Sequence, residues 1–136
     1  MNNYKKYVNI TKQINTLIGK NKLKEGFLVI QSLNSGISVI TTSDERSISD
    51  FESQMDYIFP RLLKNDEEDK LLNNFISNLI GNAIEIPVIN SKVSLRFNEE
   101  IYLLNHQKKE KVELHISMLS DDYSCQDDIC IIIPHF

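Results

Sequence analysis

Two apolar stretches separated by a short turn constrain the fold of this chain more than any other feature. Residues 27–33 read Phe-Leu-Val-Ile-Gln-Ser-Leu, a nearly continuous apolar run that follows Gly26. Residues 37–42 read Ile-Ser-Val-Ile-Thr-Thr, and an Asn-Ser-Gly turn at 34–36 lies between the two runs. Short apolar runs bounded by turn residues are typical of buried strands, and β-branched residues favour extended backbone. The sequence therefore predicts a pair of strands here, preceded by a short extended segment at 7–10.

Three other segments have the spacing of amphipathic helices. The first follows Thr11, which is suited to cap a helix, and its apolar residues are Ile14, Leu17 and Ile18. The second has an apolar face from Ile48 onward and is ended or kinked by Pro60. The third precedes Gly81, a residue that commonly ends helices because glycine tolerates positive φ.

The second half of the chain has the pattern of consecutive strands. Turn residues divide it into predicted strands at 83–89, 92–97, 101–107, 111–119 and 129–133, which we interpret as a β meander. Within 111–119, apolar residues alternate with polar ones, so one face of that strand is predicted to be buried. Helices mixed with mainly antiparallel strands indicate an α+β fold.

Composition excludes several classes of protein. The chain has 136 residues, which suits a single domain spanning 1–136. Its net charge of −4 argues against a nucleic-acid partner, because such proteins usually carry a basic face. No run approaches the roughly 20 apolar residues that a membrane span requires. The polar N-terminal segment lacks an apolar signal core, so a cytoplasmic location is expected.

A set of positions along the chain is similar to the YjbQ-like family, also called secondary thiamine-phosphate synthases. The matching positions are Ile10-Thr11, Gly26, Asp44, Asp50, Pro60, Gly81, Pro87 and Ile101-Tyr102. The resemblance implies an α+β domain of largely antiparallel, β-sandwich-type sheets with two to three flanking helices. It also implies a homotrimer with a pocket between subunits. The similarity ends near Met118, so residues 119–136 are interpreted as a C-terminal extension that adds an edge strand or reaches a neighbouring subunit.

The histidines that carry the family's chemistry are replaced in this chain. Ser32 stands where the family has the histidine of its first box, and Asn74 stands where it has the histidine of its second box. In the family these histidines hold a metal or act on a phosphorylated substrate. The resemblance therefore implies no catalytic residue, no metal and no cofactor here. It leaves a remnant pocket for an unknown small molecule, lined by Gln31, Ser32, Asn34, Thr41, Asp44, Asn74 and His106.

Plainer interpretations compete with each candidate site. The polar groups of Gln31, Ser32 and Asn34 could simply satisfy one another at the end of a strand. The histidines, His106, His115 and His135, fit ordinary surface positions better than metal ligands. The two cysteines, Cys125 and Cys130, are expected to be reduced in a cytosolic protein, and together they provide at most half of a zinc site.

Three functional hypotheses follow from these observations. The first is a catalytically degenerate YjbQ-like protein that acts as a binding or assembly module. The second is a thiamine-phosphate synthase or related phosphate-handling enzyme with a rearranged site. The third is a scaffold subunit that assembles with an intact paralogue.

Overall fold

The computed structural model describes residues 7–43, 46–50, 53, 77, 78, 80–107, 110–120 and 126–133. Its elements are β1 (Tyr7–Asn9), α1 (Thr11–Lys20), β2 (Gly26–Ser32), β3 (Ile37–Thr42), β4 (Ala83–Ile89), β5 (Lys92–Val93), β6 (Glu100–Asn105), β7 (Val112–Ser120) and β8 (Gln126–Ile133). Residues 46–50 and 53 are helical, as are 77, 78 and 80. No helix among these described residues is long and apolar enough to cross a membrane.

The strands form two antiparallel sheets. One contains β1, β6 and β3 in that order, and the other contains β5, β4, β2, β7 and β8. Because β2 lies at the centre of the larger sheet, it pairs with β4 on one side and β7 on the other. The predicted α+β class with largely antiparallel sheets and flanking helices is confirmed.

The predicted pairing of the two apolar strands at 27–33 and 37–42 is wrong. These strands are β2 and β3, and they lie in different sheets. Both edges of β2 are occupied up to its end, since the Ser32 N–H donates to the Asn82 carbonyl and the Leu33 N–H donates to the Glu113 carbonyl. The turn at 34–36 therefore carries the chain to the second sheet, where β3 pairs with β6.

The predicted meander is also wrong. Among the strands that the structure describes in this half, only β4 with β5 and β7 with β8 are paired neighbours in sequence, because β6 joins the three-stranded sheet and β7 returns to β2. The predicted strand at 92–97 is reduced to two residues, Lys92–Val93. The alternation predicted for 111–119 is confirmed, with Val112, Leu114, Ile116 and Met118 all buried.

The main core lies between the inner faces of the two sheets and is closed by α1. The inner apolar side chains of the large sheet include Leu28, Ile30, Ile86, Val88, Leu114 and Ile116, and those of the smaller sheet include Ile37, Val39, Ile101 and Leu103. Ile14 and Ile18 of α1 pack into this cluster and are fully buried. Burying each such side chain contributes about 1.5–3 kcal/mol, so this cluster dominates the stability of the fold.

A second, smaller cluster lies on the opposite face of the three-stranded sheet. There the helical residue Ile48 packs with Tyr102 and Leu104 of β6, and Ile80 lies against the same group. The ring of Tyr7 meets that of Tyr102 edge to face, with centroids 6.1 Å apart. The helical residues thus cover the outside of the small sheet, while the outside of the large sheet carries many exposed side chains.

Of the two predicted helix termini, the cap at Thr11 is wrong and the end at Gly81 is confirmed. Thr11 does not cap α1: the capping position is Ile10, which makes no side-chain cap, and the Thr11 hydroxyl instead accepts a hydrogen bond from the Ile101 N–H. Gly81 ends its helix as predicted, with φ +115° and its N–H donating to the Ser77 carbonyl over 2.8 Å.

Candidate functional site

The end of β2, at Ser32, is closed by local hydrogen bonds. Ser32 is only 4% exposed. Its hydroxyl donates to the Asn34 carbonyl over 3.1 Å and accepts from the Asn34 N–H at 3.3 Å. The Asn34 side chain accepts in turn from the Glu113 N–H at 2.6 Å. These bonds fit the plainer interpretation for Ser32 and Asn34, in which the polar groups at this strand end satisfy one another.

Gln31 lies on the opposite face of β2 from Ser32. Burial alternates along the strand, with Leu28, Ile30 and Ser32 turned to the core and Phe27 and Gln31 exposed. Gln31 is paired across the strands with His115 of β7. Within one subunit, therefore, Gln31 and Ser32 face different surroundings.

His106 is held from two directions just after the end of β6. Its Nε2 lies 3.1 Å from the hydroxyl oxygen of Ser38, and its main-chain N–H donates to the Gly36 carbonyl over 2.8 Å. The Ser38 hydroxyl donates to the Ser77 carbonyl at 3.3 Å. Both serines are buried, with Ser38 at 0% and Ser77 at 2% exposure.

This network limits what the histidine and the serine can do. The Ser38 hydroxyl lies 3.3 Å from the Ser77 carbonyl and 3.1 Å from His106 Nε2, and the tautomer of the imidazole sets which group donates at the second contact. Ser38 is 0% exposed, so its hydroxyl is enclosed by the fold and is not placed to attack a substrate.

Main-chain hydrogen bonds join the same region to the end of the third helix. The Ser77 carbonyl accepts both the Gly81 N–H and the Ser38 hydroxyl. Gly81 and Asn82 then bridge the two sheets, since their carbonyls accept the N–H groups of Val39 in β3 and Ser32 in β2, respectively. We refer to this region, formed by Ser32, Asn34, Ser38, Ser77, Gly81, Asn82 and His106, as the polar corner.

The other predicted pocket residues either lie away from the polar corner or fall outside the described residues. Thr41 is half-buried on β3 opposite Ile101, three positions beyond Ser38 and on the other face of the strand. Asp44 and Asn74 lie outside the described residues, as do Cys125 and His135. The pocket that these seven residues would form between subunits stays a prediction.

Ser38 and Ser77 are the residues of the polar corner that the sequence analysis missed. A sequence signal existed for Ser38, since it interrupts the apolar run Ile37-Ser-Val39-Ile40 of a strand that is otherwise turned to the core. A buried serine requires a hydrogen-bond partner, and the partner here is 39 residues away for Ser77 and 68 for His106. That separation hid the pairing from any local pattern.

A second polar group lies on the outer face of the large sheet. The Ser117 hydroxyl donates to Asp128 Oδ1 at 2.8 Å, and His115 Nε2 lies 3.7 Å from the same oxygen. Cys130, an exposed free thiol, is the cross-strand partner of His115. Among the described residues, no three His, Cys, Asp or Glu side chains are grouped so that they could hold a metal ion.

A comparison with family models assigns the chain to a protein family. Residues 1–121 match the model described as UPF0047 protein YjbQ-like. The chain belongs to the YjbQ-like family. The match spans most of the chain and stops before β8, so the last strand lies beyond the segment that the YjbQ-like model covers.

Three solved structures, two of them of proteins described as YjbQ-family or YbjQ-like, have the same fold. An uncharacterised conserved protein of the YjbQ/UPF0047 family from Clostridium acetobutylicum is 15% identical, with a TM-score of 0.74 over 83% of this chain and 90% of that one. A YbjQ-like protein of unknown function from Sulfolobus solfataricus is 18% identical, with a TM-score of 0.73 over 85% and 87%. A conserved hypothetical protein from Thermus thermophilus is 14% identical, with a TM-score of 0.73 over 85% and 94%. A comparison with curated proteins gives no match.

Proposed function

We propose that this protein is a catalytically silent member of the YjbQ-like family that acts as a cytoplasmic binding or assembly module. It works as a homotrimer whose altered pocket, between subunits, takes a small molecule. The observation that carries the proposal is the state of Ser32. It stands at the position of the family's first histidine, and its hydroxyl is buried and engaged with the Asn34 backbone as both donor and acceptor.

The chemistry of these groups supports the loss of the family's reaction. A catalytic zinc site needs neutral imidazole, thiolate or carboxylate ligands that converge at about 2.0–2.3 Å. A serine hydroxyl that already makes two hydrogen bonds within its own loop is a poor substitute, and the asparagine at position 74 is another. The side chain of His106 is likewise occupied by the buried Ser38.

The charge of the chain also disfavours the family's substrates. Thiamine-phosphate synthesis joins a pyrimidine diphosphate to a thiazole phosphate, so the enzyme has to bind two strongly anionic groups. This chain has a net charge of −4, and Ile76 stands where the family has a lysine. Without a cationic side chain there, anionic substrates and the charge developed during transfer lose an important source of stabilisation.

The outer face of the large sheet supports the assembly part of the proposal. Phe27, Ile89 and Ile132 point outward from this face, and each is about half exposed: 52%, 49% and 58%. Phe27 and Ile89 are diagonal neighbours across β2 and β4, since Phe27 is paired with Pro87, and adjacent exposed apolar groups commonly mark protein–protein contacts. Ile132 lies apart from them on β8. The same face would serve if this chain is instead a scaffold subunit that joins an intact paralogue.

A phosphate-handling enzyme with a rearranged site is the second candidate. The observation that favours it is the orientation of His106, whose ring is fixed by Ser38 at 3.1 Å and whose backbone is fixed by Gly36. A fixed imidazole within the polar corner is a reasonable starting point for acid–base catalysis. In that case His106 would be the residue on which turnover depends.

Metal content and native mass, measured on the same purified sample, test the proposal. We expect no bound metal and a number of copies that is a multiple of three. Stoichiometric metal that disappears in a His106→Ala variant would overturn the silent assignment and favour the enzyme. A metal-free monomer would remove both the inter-subunit pocket and the assembly role. Co-expression with a family member that carries both histidines tests the scaffold alternative, which requires mixed trimers.

A further inference from the structure

The outer edge of β8 is the least protected edge in either sheet among the described strands. β8 has eight residues and lies at the end of the five-stranded sheet. The opposite edge is β5, which has two residues and carries Lys92. In the small sheet, β1 has three residues, and β3 is covered where its Val39 N–H donates to the Gly81 carbonyl. Short strands, lysines and covering loops are the usual protection of sheet edges, and within the part of the chain that the structure describes β8 has none of these three.

The hydrogen bonds of β7 show which groups of β8 point outward. The Glu113 N–H donates to the Asn34 side chain and the Glu113 carbonyl accepts from Leu33, so both main-chain groups of Glu113 face β2. Main-chain groups alternate in direction along a strand. Leu114 and Ile116 therefore direct their groups toward β8, where their register partners are Ile131 and Ile129.

The same alternation then applies to β8 itself. Ile129 and Ile131 face β7, so the N–H and C=O groups of Asp128, Cys130 and Ile132 point away from the sheet. These outward-pointing main-chain groups are centred on Cys130, with Asp128 two residues before it and Ile132 two residues after it. An unpaired row of this kind is a template for another strand.

We propose that this edge pairs antiparallel with β8 of a second copy of the chain, about a two-fold axis at Cys130. In this register the Cys130 residues of the two copies are opposite each other, and Asp128 of each copy is opposite Ile132 of the other. Ile129 of each copy is opposite Ile131 of the other, on the inner face. All the outward N–H and C=O groups of Asp128, Cys130 and Ile132 are then paired, and the contact is isologous.

The charge pattern of β8 favours this antiparallel arrangement. The strand begins with Gln-Asp-Asp and ends with Ile-Ile-Ile. Parallel pairing in register would place the Asp128 carboxylates of both copies side by side, and like charges directly opposite destabilise a strand pair. The antiparallel arrangement separates them by four residues along the strand, about 13 Å at 3.3–3.4 Å per residue.

The apolar side chains of β8 favour a second copy of the same strand as the occupant. On the inner face, Ile129 and Ile131 are only half-buried although they pack against the main core. In the proposed register each receives a β-branched partner from the other copy, and such pairs stabilise sheets. A basic peptide would instead be drawn to the exposed carboxylate of Asp128, and this alternative is an outcome of the test.

This inference goes beyond the proposed function and does not depend on it. β8 lies outside the segment matched by the family model, which ends at residue 121. The pairing therefore doubles whatever unit the rest of the chain forms: a trimer would become a hexamer, and a monomer would become a dimer.

Native mass of the wild type and of designed variants, in the presence of reductant, tests the pairing. We expect an even number of copies in the wild type and half that mass in Cys130→Lys, which places two like charges opposite each other at the axis. Ile132→Pro should also halve the mass, because it removes an outward N–H and leaves the ladder to β7 intact. Gln13→Lys, at an exposed site on α1, adds the same charge elsewhere and should leave the mass unchanged.

Circular dichroism of each variant separates loss of pairing from loss of folding. Cys130→Ser should keep the wild-type mass, because the pairing is made by the backbone rather than by the thiol. An odd number of copies in the wild type would overturn the proposal. So would an unchanged mass in folded Cys130→Lys and Ile132→Pro, or an association that disappears with reductant. A wild-type chain without self-association that binds a basic peptide at this edge would also overturn it.

Discussion

The hydroxyl oxygen of Ser38 lies 3.1 Å from Nε2 of His106 and links that imidazole to the carbonyl of Ser77, which is 3.3 Å away. The three groups come from β3, from the end of a helix and from the residue after β6. Because the polar groups of this corner bond to one another, we interpret it as a structural part of the scaffold.

Removing the Ser38 hydroxyl should destabilise the fold. Ser38→Ala leaves His106 and the Ser77 carbonyl without this partner, and a buried group that loses its partner costs about 1–3 kcal/mol. The free energy of unfolding in urea measures the loss. Ser94→Ala, at an exposed serine, is the matched control and should change stability by less than about 0.5 kcal/mol. Equal stabilities of the two variants would contradict the buried network.

A separate prediction concerns the hydrogen bond between the Asn34 side chain, after the end of β2, and the Glu113 N–H. Asn34→Ala removes the acceptor of the Glu113 N–H, whereas Asn34→Asp retains an acceptor oxygen. We expect the alanine variant to lose about 0.5–1.5 kcal/mol and the aspartate variant to lose less. Amide hydrogen exchange at Glu113 reports the bond directly. Unchanged protection of that amide in Asn34→Ala would show that the side chain does not hold it.

Two glycines should respond in opposite directions to alanine. A Cβ on Gly26 would clash with the main-chain oxygen of Leu119 in the neighbouring strand β7, so the two strands would have to separate. A Cβ on Gly19, in α1, meets no atom within 4 Å. We expect Gly26→Ala to lower the melting temperature and Gly19→Ala to raise stability by about 0.5–1 kcal/mol, because alanine favours helix. The same sign of change in both would contradict this account.

Truncating a buried side chain in the core between the sheets should leave a cavity and lower the free energy of unfolding. Leu114 is fully buried, and Leu114→Ala should cost about 2–5 kcal/mol. Phe97 is 90% exposed, and Phe97→Ala removes a larger side chain yet should cost less than about 0.5 kcal/mol. Chemical denaturation of both variants checks the contrast. A larger loss at Phe97 would mean that the core is not where the structure places it.

Local sequence patterns were sufficient to predict some strand bounds, one helix end and the buried face of one strand. Strand β4 has the predicted bounds of 83–89, and Gly81 ends its helix by adopting the positive φ that glycine allows. The alternation in β7 identified its buried face, because side chains of a strand point alternately to its two sides.

Strand pairing and the polar corner could not be obtained in this way. Adjacent strands β2 and β3 separate because β2 is already paired on both sides by strands distant in sequence. Thr11 was predicted to cap its helix, but its hydroxyl is used by Ile101, 90 residues away. The partners of Ser38 are equally distant along the chain. Such outcomes depend on which surfaces meet in three dimensions, and residue spacing does not encode that.

The central claim is that the scaffold of the family is kept here without its chemistry. The most direct test is formation of thiamine phosphate from the pyrimidine diphosphate and the thiazole phosphate, with a family member that carries both histidines assayed alongside. We predict no product above the enzyme-free rate from this protein under conditions in which that relative turns over. Product formation that is lost in His106→Ala would contradict the account and identify the polar corner as an active site.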